Sequence, residues 1–234
     1  MEYTLFSEQP INEATKSATT QRISSFLSLT DDLRPFYALA REDTDFAPIV
    51  DQLYGYHQVK FLTPFETACW AILTQRNTMA IASKMKRALV ERFGSRLELD
   101  GTEYWAFPEP VQLAMVNEGE LTALIRNGRR GEYLSAVANA FSEVDEHFLK
   151  DAPTEEVTAW LHGIKGLGQW SVEFILVRGL GRMEYVPLTE KRLVEAVSKV
   201  YGHGEYLSRE EIQRIANHYG LWQGYWAHYL RVAT

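Results

Sequence analysis

A short glycine-containing turn between two helical segments constrains this chain more than any other feature. One segment ends at about His162, and the next begins at about Gln169. Gly166 and Gly168 lie between them without a Cβ atom, so the backbone can turn tightly and its amides stay accessible. The second helix adds unpaired N–H groups and the positive end of its dipole. This pattern predicts a phosphate site; a turn that only connects two packed helices is the alternative.

Most of the 234 residues follow a helical pattern. Apolar residues recur at helical spacing after about residue 30, and Thr63 before Pro64 is typical of a helix start. We therefore predict a mainly α-helical domain over 30–234. Three parts of the chain are predicted not to be helical. The N-terminal segment, 1–29, is predicted to contain short strands at 3–6 and 20–29. The stretch 95–110 is predicted to be irregular, and 128–131 is predicted to be a break between helices.

Composition excludes several classes of protein. Hydrophobic residues make up 46% and charged residues 24%, as in ordinary globular domains. No apolar run approaches the roughly 18 residues that span a bilayer, and the N-terminus lacks the features of a signal peptide. We expect a cytoplasmic protein without membrane contact. The single cysteine, Cys69, is expected to be buried, and it cannot hold an iron–sulfur cluster.

The charge balance points in two directions. The formal net charge is −7 and the sequence pI is about 5.5, which argues against nucleic acid as a partner. The stretch 76–96, however, has six basic residues and only one acid, Glu91. Arg126, Arg129 and Arg130 form a second basic cluster. Each cluster is either part of a DNA-binding surface or an ordinary solvated helix face.

The segment Ile164 to Val172 resembles the helix–hairpin–helix motif of the DNA glycosylase superfamily. Three further stretches match in the same order. They are Pro64 to Gln75, Arg130 to Leu134, and Trp222 to Ala227. The resemblance runs from about 22 to 232, with the motif at about 154–178. It implies two helical subdomains with a cleft between them. The family's N-terminal β-domain would be largely absent, with a remnant in 1–29.

Trp170 identifies the branch that the chain resembles. Members that also cleave the DNA backbone have a lysine at the matching position, whereas tryptophan is similar to the 3-methyladenine DNA glycosylase II branch. Tryptophan has no nucleophilic nitrogen, so it cannot form a Schiff base. The resemblance therefore implies a monofunctional enzyme that flips alkylated purines out of duplex DNA and removes them with water.

The resemblance also implies the binding residues. Double-stranded DNA is the implied partner, no cofactor is implied, and a monomer is expected. A structural Na⁺ or K⁺ would be held by the backbone carbonyls of Ile164 and Leu167, without side-chain metal ligands. The implied DNA-binding residues are Gly166, Gly168, Ile164, Ser171, Gln75, Arg76 as the wedge, and Arg130; the implied base pocket is Trp170, Trp222 and Tyr225.

Catalysis requires a carboxylate to stabilise an oxocarbenium-like sugar. The family has an aspartate shortly after a proline, at the start of the helix that follows the hairpin. Here either Glu190 or Thr189 takes that position after Pro187, depending on the alignment, and we predict Glu190 as the catalytic residue. Because no aspartate is present, a DNA-binding relative without catalysis is the alternative. A helical scaffold with no DNA role is the third hypothesis.

Overall fold

A computed structural model describes residues 2–7 and 9–234. Residues 1 and 8, within the predicted N-terminal segment, lie outside the described part. In the described part the chain forms fourteen α-helices and one antiparallel β-hairpin. The helices are α1 (Glu13–Phe26), α2 (Arg34–Glu42), α3 (Ala47–Gln52), α4 (Pro64–Thr74), α5 (Met79–Phe93), α6 (Pro110–Ala114), α7 (Glu118–Ile125), α8 (Gly128–Glu143), α9 (Glu146–Asp151), α10 (Thr154–Gly163), α11 (Gln169–Ile175), α12 (Lys191–Tyr201), α13 (Arg209–Asn217) and α14 (Gln223–Ala233).

The helices surround two hydrophobic cores. The first core is built mainly by α4 to α11 and includes Phe65 and Leu134. The second core is built by α2, α3 and α12 to α14, and it includes Phe36 and Trp226. A π-helical turn, Leu176–Leu180, continues α11 and passes from one core to the other. The prediction of a mainly α fold with two helical subdomains is confirmed.

Helix α4 begins where its sequence predicts. The hydroxyl oxygen of Thr63 accepts a hydrogen bond from the Glu66 amide at 3.1 Å, and Pro64 is the first helical residue. Seven side chains of α4, including Phe65 and Leu73, are buried. A capped and almost wholly apolar helix is stable only inside a core. This rigid element ends at Gln75, next to the glycine turn.

The strands predicted in the N-terminal segment are wrong. Residues 20–26 belong to α1, and residues 3–6 form no strand. Asn12 caps α1 by accepting a hydrogen bond from the Thr15 amide at 2.8 Å. Three half-buried apolar residues follow at a spacing of three and four, which is the period of a helix rather than a strand. They are Ile23, Phe26 and Leu27.

The irregular chain predicted at 95–110 is also wrong. Strand β1 (Ser95–Leu99) pairs with β2 (Thr102–Ala106), so that Ser95 lies opposite Ala106. Asp100 and Gly101 connect the strands with φ values of 51° and 74°. Positive φ at both central residues is typical of a type I′ turn, and an Asp-Gly pair favours it.

The break predicted at 128–131 is instead the first turn of α8. The Asn127 side chain caps this helix by accepting a hydrogen bond from the Arg130 amide at 3.0 Å. Gly131 is needed for packing, because a Cβ atom there would lie 2.2 Å from the Thr122 hydroxyl oxygen. Gly131 therefore allows close helix contact rather than ending a helix. Within the described part of the chain, no helix is both long and apolar enough to cross a membrane.

Candidate functional site

The glycine turn lies at the surface between α10 and α11. Gly166 has a φ of +99°, and a Cβ atom there would lie 2.4 Å from Cγ of Tyr133. Gly168 is the exposed N-cap residue of α11, and a Cβ atom there would meet nothing within 4 Å. No side chain caps this helix. Gly166 is thus required by the turn, whereas Gly168 leaves the helix tip open to an anion.

Apolar contacts hold the turn in place. Ile164 is 7% exposed and Leu167 is 5% exposed, and both belong to the first core. The Leu167 amide donates to the Ile164 carbonyl at 3.2 Å. A carbonyl oxygen has two lone pairs, so that of Ile164 retains acceptor capacity. The backbone oxygens assigned to a monovalent cation therefore lie on a rigid segment.

Gln75 connects the end of α4 to the glycine turn. Its amide nitrogen donates to the Gly166 carbonyl at 2.8 Å and to the Ser171 hydroxyl at 3.3 Å. The Arg130 guanidinium donates to the Gln75 carbonyl. Ser171 is only 2% exposed. The structure therefore places Gln75, Ser171 and Arg130 in contacts that support the turn.

Arg76 differs from these supporting residues. It is exposed in the connection between α4 and α5, and its φ is +51°, in the left-handed region that non-glycine residues seldom occupy. Such strain is common at functional sites. An open depression of about 550 Å³ is lined by Gln75, which is the chain neighbour of Arg76, and by the glycine turn and Trp170.

The basic stretch 76–96 is largely neutralised. Lys86 pairs with Glu66 at 2.5 Å, and it also lies over the rings of Phe61, Trp70 and Phe107. Three arginines of the stretch pair with acids as well. They are Arg87 with Glu91, Arg92 with Glu120, and Arg96 with Glu103. Most of the cations in this stretch therefore lie in ion pairs, as on an ordinary solvated helix face.

Glu190 is the N-cap residue of α12, but its side chain does not cap the helix. Its two carboxylate oxygens accept hydrogen bonds from Nη1 of Arg231 at 3.1 and 3.2 Å. About a quarter of each side chain is exposed. The carboxylate is therefore held at the protein surface rather than sealed inside it.

A small cavity of about 20 Å³ lies beside Glu190, where the two cores meet. It has room for about one water molecule, so a flipped base could enter only if side chains moved. Elements from both cores line it. Its lining residues are Gln58, Trp170, Glu173, Phe174, Val177, Arg178, Pro187, Glu190, Leu193, Gly224, Ala227, His228 and Arg231.

Only one of the three aromatic residues predicted for the base pocket lines this cavity. Trp170 is 36% exposed and stacks on Phe174, with ring centroids 5.3 Å apart. Tyr225 is fully buried in the second core, and its hydroxyl donates to Asp31 at 2.5 Å. Trp222 packs against Tyr225 and Phe36. The structure therefore brings Trp170 close to Glu190, but it places Tyr225 in the second core and the partly buried Trp222 against that core.

Sequence reasoning missed three buried polar groups of the cavity lining. The Gln58 amide nitrogen donates to the Val177 carbonyl at 3.1 Å, which leaves its side-chain oxygen without a partner. Nε of Arg178 and Nε2 of His228 are also buried without a hydrogen-bond partner in the described structure. Unpartnered buried polar atoms are uncommon in native proteins and indicate a ligand or water site. No sequence motif marks them, because they come from distant parts of the chain.

The protonation of His228 follows from its surroundings. Burial, with Arg231 and Arg178 nearby, lowers the pKa of His228 to about 3. The Arg231 guanidinium donates to Nδ1 at 3.4 Å, so Nε2 carries the hydrogen of the neutral ring. Burial, and then Arg231, lower the pKa of Arg178. The cavity therefore offers an acceptor on Gln58 and donors on Arg178 and His228.

Comparisons with known proteins agree with this geometry. The family model described as HhH-GPD superfamily base excision DNA repair protein matches residues 69–220. The chain is 25% identical over 224 residues to the DNA-3-methyladenine glycosylase of Bacillus subtilis. The aligned region covers 95% of this chain and 74% of that protein. These matches agree with the superfamily and branch that the motifs indicated.

Solved structures share the fold. The 3-methyladenine DNA-glycosylase from Archaeoglobus fulgidus superposes with a TM-score of 0.82 at 23% identity, covering 95% of this chain and 76% of that chain. The 8-oxoguanine glycosylase/lyase of Clostridium acetobutylicum in complex with double-stranded DNA gives a TM-score of 0.76 at 20% identity, covering 95% and 76%. At these identities the similarity establishes the fold and no more.

Proposed function

We propose, since the chain belongs to the HhH-GPD superfamily of base excision DNA repair proteins, that it is a monofunctional DNA glycosylase. In this proposal it binds duplex DNA as a cytoplasmic monomer, flips an alkylated purine out of the helix and hydrolyses the N-glycosidic bond. The name of the Bacillus subtilis relative supports the substrate class.

The position of Glu190 carries the proposal. Its carboxylate lies beside a cavity that also contains Trp170, the second residue of the helix that follows the hairpin. A negative charge at this point would stabilise the positive charge that develops on the sugar as the base leaves, and it would orient a water molecule. The Arg231 guanidinium now occupies one side of the carboxylate, so the sugar would approach from the side that faces the cavity.

The cavity supports hydrolysis rather than Schiff-base chemistry. None of its lining residues is a lysine. Burial lowers the pKa of Lys60, which increases the fraction of its amine that is neutral and able to attack, but Lys60 lies against Gly181 and not in the cavity lining. We therefore assign release of the base to water, without cleavage of the DNA backbone.

The hairpin and Arg76 supply DNA binding in this proposal. The uncapped amides at Gly168 would hold a phosphate, and the exposed Arg76 would enter the base stack to fill the gap. The backbone oxygens of Ile164 and Leu167 would hold a Na⁺ or K⁺ ion, which would add positive charge beside that phosphate. Gln75 and Arg130 would hold the hairpin and Arg76 in fixed positions relative to each other.

Incubation with alkylated duplex DNA tests the proposal. Free base is measured by mass spectrometry, strand breaks by gel electrophoresis, and Schiff-base formation by borohydride trapping. Wild type should release methylated purine without strand breaks or trapping. Glu190→Gln removes the charge at constant size, and we expect it to lower the release rate about 100-fold or more. Glu195→Gln, on the exposed face of the same helix, is the matched control and should act as wild type does.

Other outcomes decide between the remaining hypotheses. Base release by Glu190→Gln at the wild-type rate would remove Glu190 from the chemistry. Duplex binding without release of any base would favour the non-catalytic DNA-binding relative. A borohydride-trapped adduct would contradict monofunctional chemistry. Failure to bind any duplex would leave a helical scaffold as the remaining hypothesis.

A further inference from the structure

Glu173 is a buried carboxylate that the chemistry above does not use. It lies on α11, three residues after Trp170, and is 3% exposed. Oε1 accepts hydrogen bonds from Gln169 at 3.0 Å and from the Tyr185 hydroxyl at 3.5 Å. Oε2 accepts from the Thr189 amide at 3.1 Å and also from the Thr189 hydroxyl. Every partner is a donor, so both carboxylate oxygens are held by hydrogen bonds.

These contacts join α11 to the residue immediately before Glu190. Thr189 uses both of its donors on one oxygen of Glu173. The Glu190 amide donates to the Pro187 carbonyl at 3.1 Å, so 187–190 is a tight turn. Since the Glu190 side chain makes no capping bond, its direction depends on the backbone at 189–190 and on Arg231.

We propose that Glu173 is a positioning residue that acts through Thr189 to hold the Glu190 carboxylate beside the cavity. This inference rests on the proposed function and extends it to a residue outside the predicted site. It also explains Thr189, which the sequence left as the alternative to Glu190. The Thr189 hydroxyl donates its hydrogen bond to Glu173, whereas Glu190 lines the cavity.

The contact between Glu173 and Thr189 sets the distance between the Glu190 carboxylate and the cavity. The contact joins an element of the first core to the start of a helix in the second core. A displacement of about 1 Å between a catalytic group and its substrate can lower a rate on the order of 100-fold. Loss of the Glu173 contact should therefore slow the chemical step while leaving the hairpin, and hence DNA binding, intact.

The first test measures single-turnover base release and DNA affinity in parallel. Glu173→Ala should lower the release rate about 10- to 100-fold, with a dissociation constant for duplex within about 3-fold of wild type. Glu173→Gln keeps an oxygen for Thr189 and should restore most of the rate. In a Glu190→Gln background, Glu173→Ala should cause little further loss of rate, because the charge that Glu173 would position is already absent. Equal loss in both backgrounds would overturn the proposal.

A second variant covers the case in which Glu173→Ala does not fold. Thr189→Val removes only the hydroxyl donor and should slow base release, whereas Thr189→Ser should not. Thr154→Val is the matched control, because the Thr154 hydroxyl also donates to a glutamate, Glu184, at 2.5 Å. A Thr189→Val protein as active as the Thr154→Val control would overturn the proposal.

Amide hydrogen exchange gives a readout that does not need activity. The Thr189 amide should exchange about 10-fold faster or more in Glu173→Ala than in wild type, and close to the wild-type rate in Glu173→Gln. Unchanged exchange would overturn the proposal even if the enzyme is active. Absence of base release from wild type would instead overturn the proposed function, and the exchange rates would still decide whether Glu173 holds residue 189.

Discussion

At the scale of residues, Trp170 was accessible to sequence reasoning because it has a fixed place in a motif. Glu190 was accessible as one of two residues that the alignment placed after Pro187, and the only one of them with a carboxylate. The polar groups of the cavity were not. Gln58 and His228 lie 170 positions apart in the chain, and nothing near either one marks it. Their importance arises from burial and from hydrogen bonds that remain unmade, which only the folded structure reveals.

His228 makes stability depend on pH. Its pKa of about 3 in the folded protein lies well below its ordinary value of 6.5, so the unfolded chain binds more protons between these limits. Stability is therefore lost as the pH falls below 6.5, by about 2 kcal/mol at pH 5 for this group. His228→Asn should remove that loss.

Urea denaturation at pH 7 and pH 5 measures the effect. The difference between the two pH values should be smaller in His228→Asn than in wild type by about 2 kcal/mol. His162→Asn, at an exposed position, is the control and should retain the wild-type difference. An equal pH dependence in all three proteins would mean that His228 is not held neutral by burial.

At the scale of elements, the accuracy of prediction depended on whether local signals agreed. Helix α4 has a cap, a proline and an apolar sequence, and its observed start agrees with these signals. The β-hairpin at 95–106 carries an Asp-Gly pair at its turn, a signal that the two prolines nearby obscured. The start of α8 was missed because Gly128 and Gly131 suggest a break, whereas packing against Thr122 requires the second glycine.

The two glycines of the turn between α10 and α11 should respond differently to the same substitution. Gly166→Ala places a Cβ atom at a positive φ and against Tyr133, so we expect a loss of roughly 1–3 kcal/mol in unfolding free energy. Gly168→Ala meets open space at a φ of −84° and should cost less than about 1 kcal/mol. Thermal or urea unfolding of the two variants tests this. Equal losses would contradict the different roles given to them.

At the scale of the whole molecule, the charge distribution limits how the protein can bind DNA. The net charge of −7 opposes DNA binding, and most of the basic stretch on α5 is ion-paired. Three exposed arginines, in the connection after α4 and around the start of α8, belong to none of the ion pairs in the described part of the structure. They are Arg76, Arg126 and Arg129. DNA binding should therefore rest on few phosphate contacts and on the uncapped hairpin amides.

This charge distribution predicts a shallow salt dependence. With about three phosphates neutralised by side chains, the slope of log K against log salt concentration should be roughly −3. Arg76→Ala or Arg129→Ala should each reduce the slope by about 1. Arg41→Ala, on α2, is the control and should leave it unchanged. Fluorescence anisotropy over a range of salt concentrations measures these slopes. A wild-type slope much steeper than roughly −3 would contradict a DNA contact made by so few cations.

The central claim is that the hairpin binds DNA and Glu190 performs the chemistry. Single-turnover base release and duplex affinity, measured together for Gly168→Ala and Glu190→Gln, test this division most directly. Gly168→Ala should weaken binding while retaining the rate of release at saturating protein, and Glu190→Gln should bind as wild type does while losing release. The claim would be contradicted if Glu190→Gln released base at the wild-type rate, or if Gly168→Ala bound duplex DNA as tightly as wild type.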